Sequence, residues 1–149
     1  MIVLGLDCAT KTGWALADGK RIIESGVQEF TVKRGESPGM RFLRFRKWTE
    51  ELIRNSRPDV VVYEQAHYRG GAATELCVGF VTRVQEAASA HGVNYQGMHT
   101  ATVKKTLTGH GKGDKEAVIK AVQARTGIKP IDDNHADAIA LCLCMAEEI

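Results

Sequence analysis

Three acidic residues stand where apolar runs end or begin. Asp7 closes Ile2-Val3-Leu4-Gly5-Leu6, Glu64 closes Val60-Val61-Val62-Tyr63, and Asp137 heads the last apolar segment, within Asp132-Asp133-Asn134-His135-Ala136-Asp137. A carboxylate at the end of a buried strand is costly unless something compensates its charge. No obvious basic partner adjoins these acids in sequence, so a cluster of them calls for divalent cations. Hard carboxylate oxygens suit Mg²⁺ or Mn²⁺ rather than Zn²⁺. Two such ions about 3.5–4 Å apart activate a water and stabilise a leaving oxygen in phosphodiester cleavage. Metal-dependent phosphoryl chemistry is the leading reading. Asp133 and Asn134 precede Asp137 by four and three positions and share its helix face if the helix has begun, whereas His135 points elsewhere. Asp133 can be a helix cap, a further ligand, or both.

A second constellation runs from Val103 to Lys115: Lys104 and Lys105, then Gly109-His110-Gly111-Lys112-Gly113, then Asp114 and Lys115. Its glycines let a backbone approach a ligand closely, and its lysines supply positive charge for phosphates. The spacing is not that of a nucleotide P-loop. Opposite an acidic cluster it reads as a nucleic-acid clamp. The charge distribution agrees. Eight basic residues face three acidic ones between Lys33 and Arg57, and seven face two between His99 and Lys129, while the remainder is net −8. Two basic segments beside an acidic centre suggest a polyanion-binding face. For Arg41, Arg44, Arg46 and Lys47 the plainer alternative is a solvated helix face.

These residues need a scaffold. Residues 2–7 and 12–17 read as strands, Asp18-Gly19 as a hairpin turn, and 21–25 with 26–32 as a continued meander. Ser37-Pro38 opens a helix whose Phe42, Phe45, Trp48 and Leu52 form one apolar stripe, ended by residues 55–58. Residues 59–64 are a β-branched strand of the type buried on both faces. A loop over 65–73 leads to a helix over 74–91 with Gly92 as its stop, and 93–98 is the last strand. Thr100 is expected to cap a short helix ending near Gly109, Asp114 to cap one through Thr126, and Asp132 or Asp133 to cap the final helix. A meander followed by crossovers predicts an α/β fold: a mixed five-stranded sheet with helices on both faces.

The 149 residues suit one domain with a real core, spanning 1–149. Met1 leads into a strand without a basic start or cleavage site, and no apolar run is long enough for a bilayer, so a cytoplasmic protein with no membrane partner is expected. Cys8, Cys77, Cys142 and Cys144 form no Cys-x-x-Cys pair and read as reduced core cysteines.

Taken in order, these motifs resemble those of RuvC-type Holliday junction resolvases, in the compact form found in phages and prophages. The similarity lies in Gly5-Leu6-Asp7 with Thr12-Gly13-Trp14-Ala15, Val62-Tyr63-Glu64-Gln65, Val103-Lys104-Lys105 through Gly109, Gly111 and Lys115, and Asp133-Asn134-His135-Ala136-Asp137-Ala138. Arg69-Gly70-Gly71-Ala72-Ala73-Thr74-Glu75-Leu76 resembles the phage-type version. The resemblance implies an RNase H-like fold, Mg²⁺-dependent nicking of branched DNA with Mn²⁺ able to substitute, and a homodimer cutting two strands. The family's acids fall on Asp7, Glu64 and Asp137. Where bacterial members carry an acid or His three residues before the last Asp, this chain has Asn134, and Asp133 is the substitute one turn back. The family's active-site lysines fall on Lys104 and Lys115; Lys105 and Lys112, from the Gly/Lys segment itself, are expected as further DNA contacts. The aromatic wedge position falls on His67, leaving Tyr68 as wedge or as anchor of its own loop, with Arg69 beside it.

Paired cuts need two sites at fixed separation, and the helix over 74–91 offers Leu76, Phe80 and Val84, with Cys77 and Val81, as a dimer face. Packing of that stripe into the domain core is the alternative. Rival functions are an RNase H-like nuclease acting on RNA or non-junction DNA, and a catalytically inactive junction-binding protein. An actin-like phosphotransferase, suggested by Asp7-x-x-Thr10-Lys11-Thr12-Gly13, would need a second such domain.

Overall fold

In a computed structural model the chain is described over residues 1–65, 70–111 and 114–148. Its elements are β1 (Ile2–Asp7), β2 (Lys11–Asp18), β3 (Arg21–Glu29), α1 (Gly39–Ser56), β4 (Val60–Glu64), α2 (Ala72–Ala90), β5 (Asn94–Met98), α3 (Thr100–Thr108), α4 (Lys115–Thr126) and α5 (Asp133–Glu148). The strands form one sheet in the order β3-β2-β1-β4-β5. β1 pairs antiparallel with β2 and parallel with β4, so the sheet is mixed as expected. Because β1, β4 and β5 run parallel, Asp7, Glu64 and Met98 end at one edge.

Strand side chains alternate between faces. Leu4, Leu6, Val61 and Tyr63 join the core beneath α1 and α2, with Phe45 and Phe80 buried there and their rings 4.7 Å apart. Burying each such aromatic contributes about 1.5–3 kcal/mol. Val3, Ala15, Ala17, Val60 and Val62 join the second core, against α3, α4 and α5. The same alternation therefore puts Asp7 and Glu64 on the α5 face.

Several expectations change in detail. The segments 21–25 and 26–32 merge into one strand, β3, which ends at Glu29 and in which Gly26 pairs with Trp14 rather than breaking the chain. α2 begins at Ala72, before Thr74, after the left-handed Gly70 and Gly71. Asp114 caps α4 as expected, accepting from the Ala117 amide at 2.8 Å. Asp132 is the acid that caps α5, accepting from the His135 amide at 2.8 Å. Thr100 is not a cap: His99 precedes the helix, with no side-chain cap bond, and Thr100 is its first residue.

Much of the expected dimer stripe on α2 packs within the subunit. Phe80 and Val84 are fully buried, Val81 nearly so, and Leu76 and Cys77 pack against the same core. The sequence shows an apolar helix face but not whether the sheet or a second copy covers it. Cys142 reaches toward the carbonyls of Val3 and Ala15 while Cys144 contacts Thr106, so the two thiols face different neighbours. Burial holds the Cys142 thiol at about 12, as suits an inert core cysteine. Among the described residues no helix is long and apolar enough to cross a membrane.

Candidate active site

Asp7 is the last residue of β1 and Glu64 the last of β4, and the register aligning Leu6 with Tyr63 places their carboxylates side by side. Each is anchored. Thr12 ties the turn after Asp7, its hydroxyl donating to the Ala9 carbonyl at 2.6 Å, and the Gln65 amide donates to the Met98 carbonyl at 2.8 Å. Asp137 arrives on α5, one turn into the helix. It can approach because two positions beneath α5 lack a side chain. A Cβ at Gly5 would lie 2.6 Å from the Ala138 carbonyl oxygen, and one at Gly13 would lie 1.9 Å from that of Asn134. Only glycine tolerates such backbone contact.

Carboxylate oxygens of Asp7, Glu64 and Asp137 lie within 4.8 Å of one another. Burial first, and then the charges of Asp137, Glu64 and Asp133, push the Asp7 carboxyl well above the usual carboxylate range. Asp137 is raised to about 6 by burial and by Glu64 and Asp133, partly offset by its hydrogen bond with Asp7 and by Lys104. Three acids converging in a partly desolvated site repel one another unless protons or cations compensate them. Hard oxygen donors at this spacing, from three rigid elements, fit a divalent cation of the Mg²⁺ or Mn²⁺ type.

Asp133 lies near enough for its charge to act on Asp7 and Asp137, but it stands outside the close triad. Its Oδ2 is 3.0 Å from Lys115 Nζ, and that hydrogen bond holds its carboxyl below the usual range. His135 faces away from the acids, as the helical spacing requires. Its Nδ1 accepts from the Ile131 amide at 3.0 Å and its Nε2 lies 2.8 Å from Ser25 Oγ, and burial lowers its basicity.

Lys104 lines a small cleft with Glu64, Thr100, Val103 and Asp137. Lys105, one position on, is exposed and does not line that cleft. Lys112, His67, Tyr68 and Arg69 lie outside the described residues. The basic residues of α1 serve mainly to hold the subunit together, contrary to a shared anion-binding face. Arg41 Nε donates to the Phe30 carbonyl at 3.0 Å, Arg44 pairs with Glu36, and Arg46 pairs with Glu50 and Glu86. Lys47 is exposed.

Two contributors escape inspection of the sequence. Gly13 reads as an ordinary strand residue until α5 is seen to rest on it. Thr100 reads as a cap, yet its hydroxyl donates to the Glu64 carboxylate. The signal available for Thr100 was its place one residue beyond the end of β5, the strand neighbouring β4.

A mixed sheet of this order, with carboxylates at two adjacent strand ends and on the covering helix, defines an RNase H-like nuclease. The family model described as "Crossover junction endodeoxyribonuclease RuvC" matches residues 3–145, and the chain belongs to that family. RuvC of Moorella thermoacetica is 30% identical, covering 98% of this chain and 91% of its own length. RuvC of Brachyspira hyodysenteriae is 28% identical, covering 98% and 94%. Among solved structures, Thermus thermophilus RuvC in complex with a Holliday junction substrate superposes with a TM-score of 0.85 at 26% identity, covering 98% of this chain and 93% of that one. The yeast mitochondrial Holliday junction resolvase Ydc2, at 15% identity and a TM-score of 0.67 over 97% and 77%, shares the fold.

Proposed function

We propose that this chain resolves four-way DNA junctions by hydrolysing phosphodiesters at the Asp7–Glu64–Asp137 cluster with Mg²⁺, for which Mn²⁺ can substitute. The convergence of those three carboxylates within 4.8 Å carries the reading. When bound there, divalent cations supply charge compensation and a Lewis acid for water activation and leaving-oxygen stabilisation. The chain's own residues do the rest. Asp7, Glu64 and Asp137 hold the cations, and α5 and the two strand ends keep the three carboxylates in fixed relation. Lys104, on the cleft wall, neutralises a phosphate brought against the acids. Lys115 contacts the DNA backbone and exchanges Asp133 for a phosphate as it does so. Asp133, one turn before Asp137, completes the acidic shell. Lys105 and Lys112 extend the backbone contacts, and Tyr68 and Arg69 contact the junction's open centre.

Two incisions of like polarity call for two copies of the site, and we assign the chain to a homodimer on that ground. The buried α2 stripe cannot supply its whole interface. A cleavage panel tests the substrate: four-way junction, flap, duplex and RNA–DNA hybrid, each with and without Mg²⁺. Mg²⁺-dependent cutting of the junction in preference to the others is expected. Preferential cutting of the hybrid or of plain duplex would overturn the assignment.

A further inference from the structure

We propose that Thr100 is a positioning residue for Glu64, holding its carboxylate in the orientation that joins Asp7 and Asp137 at the cation site; this rests on the metal-dependent reading above. The Thr100 hydroxyl donates to Glu64 Oε1 across the boundary between α3 and β4. Both partners sit on rigid backbone. Glu64 ends β4, whose register with β5 aligns it with Met98, and the next amide, Gln65, bonds to the Met98 carbonyl at 2.8 Å. Thr100 begins α3 after the single residue His99, and the Val103 amide closes the first helical bond onto the His99 carbonyl at 3.1 Å. The donor and acceptor are therefore set by the same strand pair.

The local geometry separates this role from helix capping. The residue preceding α3 is His99, in extended conformation, and Thr100 is already helical, so its hydroxyl is not placed to satisfy the free amides of the first turn. It turns instead into the cleft shared by Glu64, Lys104 and Asp137. Glu64 differs from its two partners in side-chain length. Asp7 and Asp137 are short and are hydrogen-bonded to each other. A glutamate has an extra rotatable bond, and without an external donor it loses more freedom on capturing a cation. A hydroxyl on Oε1 occupies one lone pair of the carboxylate and so limits its rotation about the last side-chain bond. Hydrogen bonds to ligating carboxylates of this kind typically govern metal affinity by about 10–100-fold.

The test is calorimetric titration of Mn²⁺ into the DNA-free wild type, Thr100→Val and Thr100→Ser, with metal-induced shifts in Tm as a second readout. Thr100→Val keeps the side-chain shape and removes the donor, and should weaken Mn²⁺ binding on the order of tenfold. Thr100→Ser keeps the hydroxyl and should bind within about twofold of wild type, a rescue that loss of helix packing would not produce. Thr100→Ala replaces the valine variant if the latter does not fold. Equal or tighter Mn²⁺ binding by the donor-less variant overturns the role of Thr100 while leaving the metal site intact. Absence of Mn²⁺ binding by the wild type overturns the metal reading itself.

Discussion

Gly13 lies directly beneath the carbonyl of Asn134, so closely that a Cβ there would sit 1.9 Å from the oxygen. Gly13 is also the cross-strand partner of Asp7. The backbone contact that seats α5 and the carboxylate that α5 completes are thus neighbours on one face of the sheet. Replacing Gly13 by alanine must lift the first turn of α5 and carry Asp137 away from Asp7. We expect Gly13→Ala to cost about 1–3 kcal/mol, as overpacking does. At about 2–4 °C per kcal/mol for a chain of this size, thermal melts will show it. Metal-induced stabilisation should be lost as well. An unchanged Tm and metal response would mean that the helix is not seated by this contact.

Asp7→Asn, Glu64→Gln and Asp137→Asn should each abolish metal-dependent cleavage while leaving junction binding largely intact, because each removes a cation ligand and no phosphate contact. Near-normal nicking by two of the three would place the active site elsewhere. The metal-free Tm of Asp7→Asn and Asp137→Asn at pH 8 should exceed that of wild type, since each substitution relieves repulsion between buried carboxylates.

The same repulsion fixes the sign of the pH dependence. Asp137 titrates at about 6 in the folded chain against an ordinary 3.8, and Asp7 is raised as well. Between those values the folded state binds more protons than the unfolded one, so stability falls as pH rises. For Asp137 the contribution is complete below about pH 4 and gone above about pH 6, and Asp7 extends the loss further upward. Metal-free melts across pH 4–8 should show this decline, and Asp137→Asn should flatten it. Saturating Mg²⁺ at pH 8 should restore stability. A wild-type curve that rises through this window to the same extent as the variant's would contradict the clustered carboxylates.

Lys104→Ala and Lys115→Ala should weaken junction binding and reduce the log–log salt slope by about one each, as expected for loss of one phosphate contact. Lys115 pairs with Asp133 before any DNA arrives. Asp133→Asn should therefore free Lys115, tightening metal-free junction binding, while lowering cleavage if Asp133 completes the acidic shell. Asn134→Asp should alter metal affinity only if position 134 is the ligand. Filter binding at several salt concentrations and nicking rates separate these outcomes.

Element order, sheet class and the three acids were legible because each is written in local pattern. Strand alternation and the β-branched run before Glu64 mark where a buried strand ends, and that is where the acids stand. Which acid caps α5 was not legible, since Asp132 and Asp133 are adjacent and equally able to cap; the start of the helix decides between them. The fate of the α2 stripe depends on the partner surface, here α1 and its Phe42–Phe45 face, which no single helix specifies. Arg41, Arg44 and Arg46 carry the charge pattern of an anion-binding face, but the Phe30 carbonyl, Glu36 and Glu86 take them up from elsewhere in the fold, and Glu50 pairs with Arg46 within the helix. Gly13 and Thr100 act through contacts with distant segments, which periodicity does not report.

The central claim is most directly tested by a strand-labelled nicking assay on a synthetic four-way junction. Wild type and Asp137→Asn are compared with Mg²⁺ and with chelator. We expect paired, symmetric nicks in two strands of like polarity from wild type with Mg²⁺, and intact junction in the other three reactions. Cleavage by wild type in chelator, or undiminished cleavage by Asp137→Asn with Mg²⁺, would contradict a metal-dependent resolvase built on Asp7, Glu64 and Asp137.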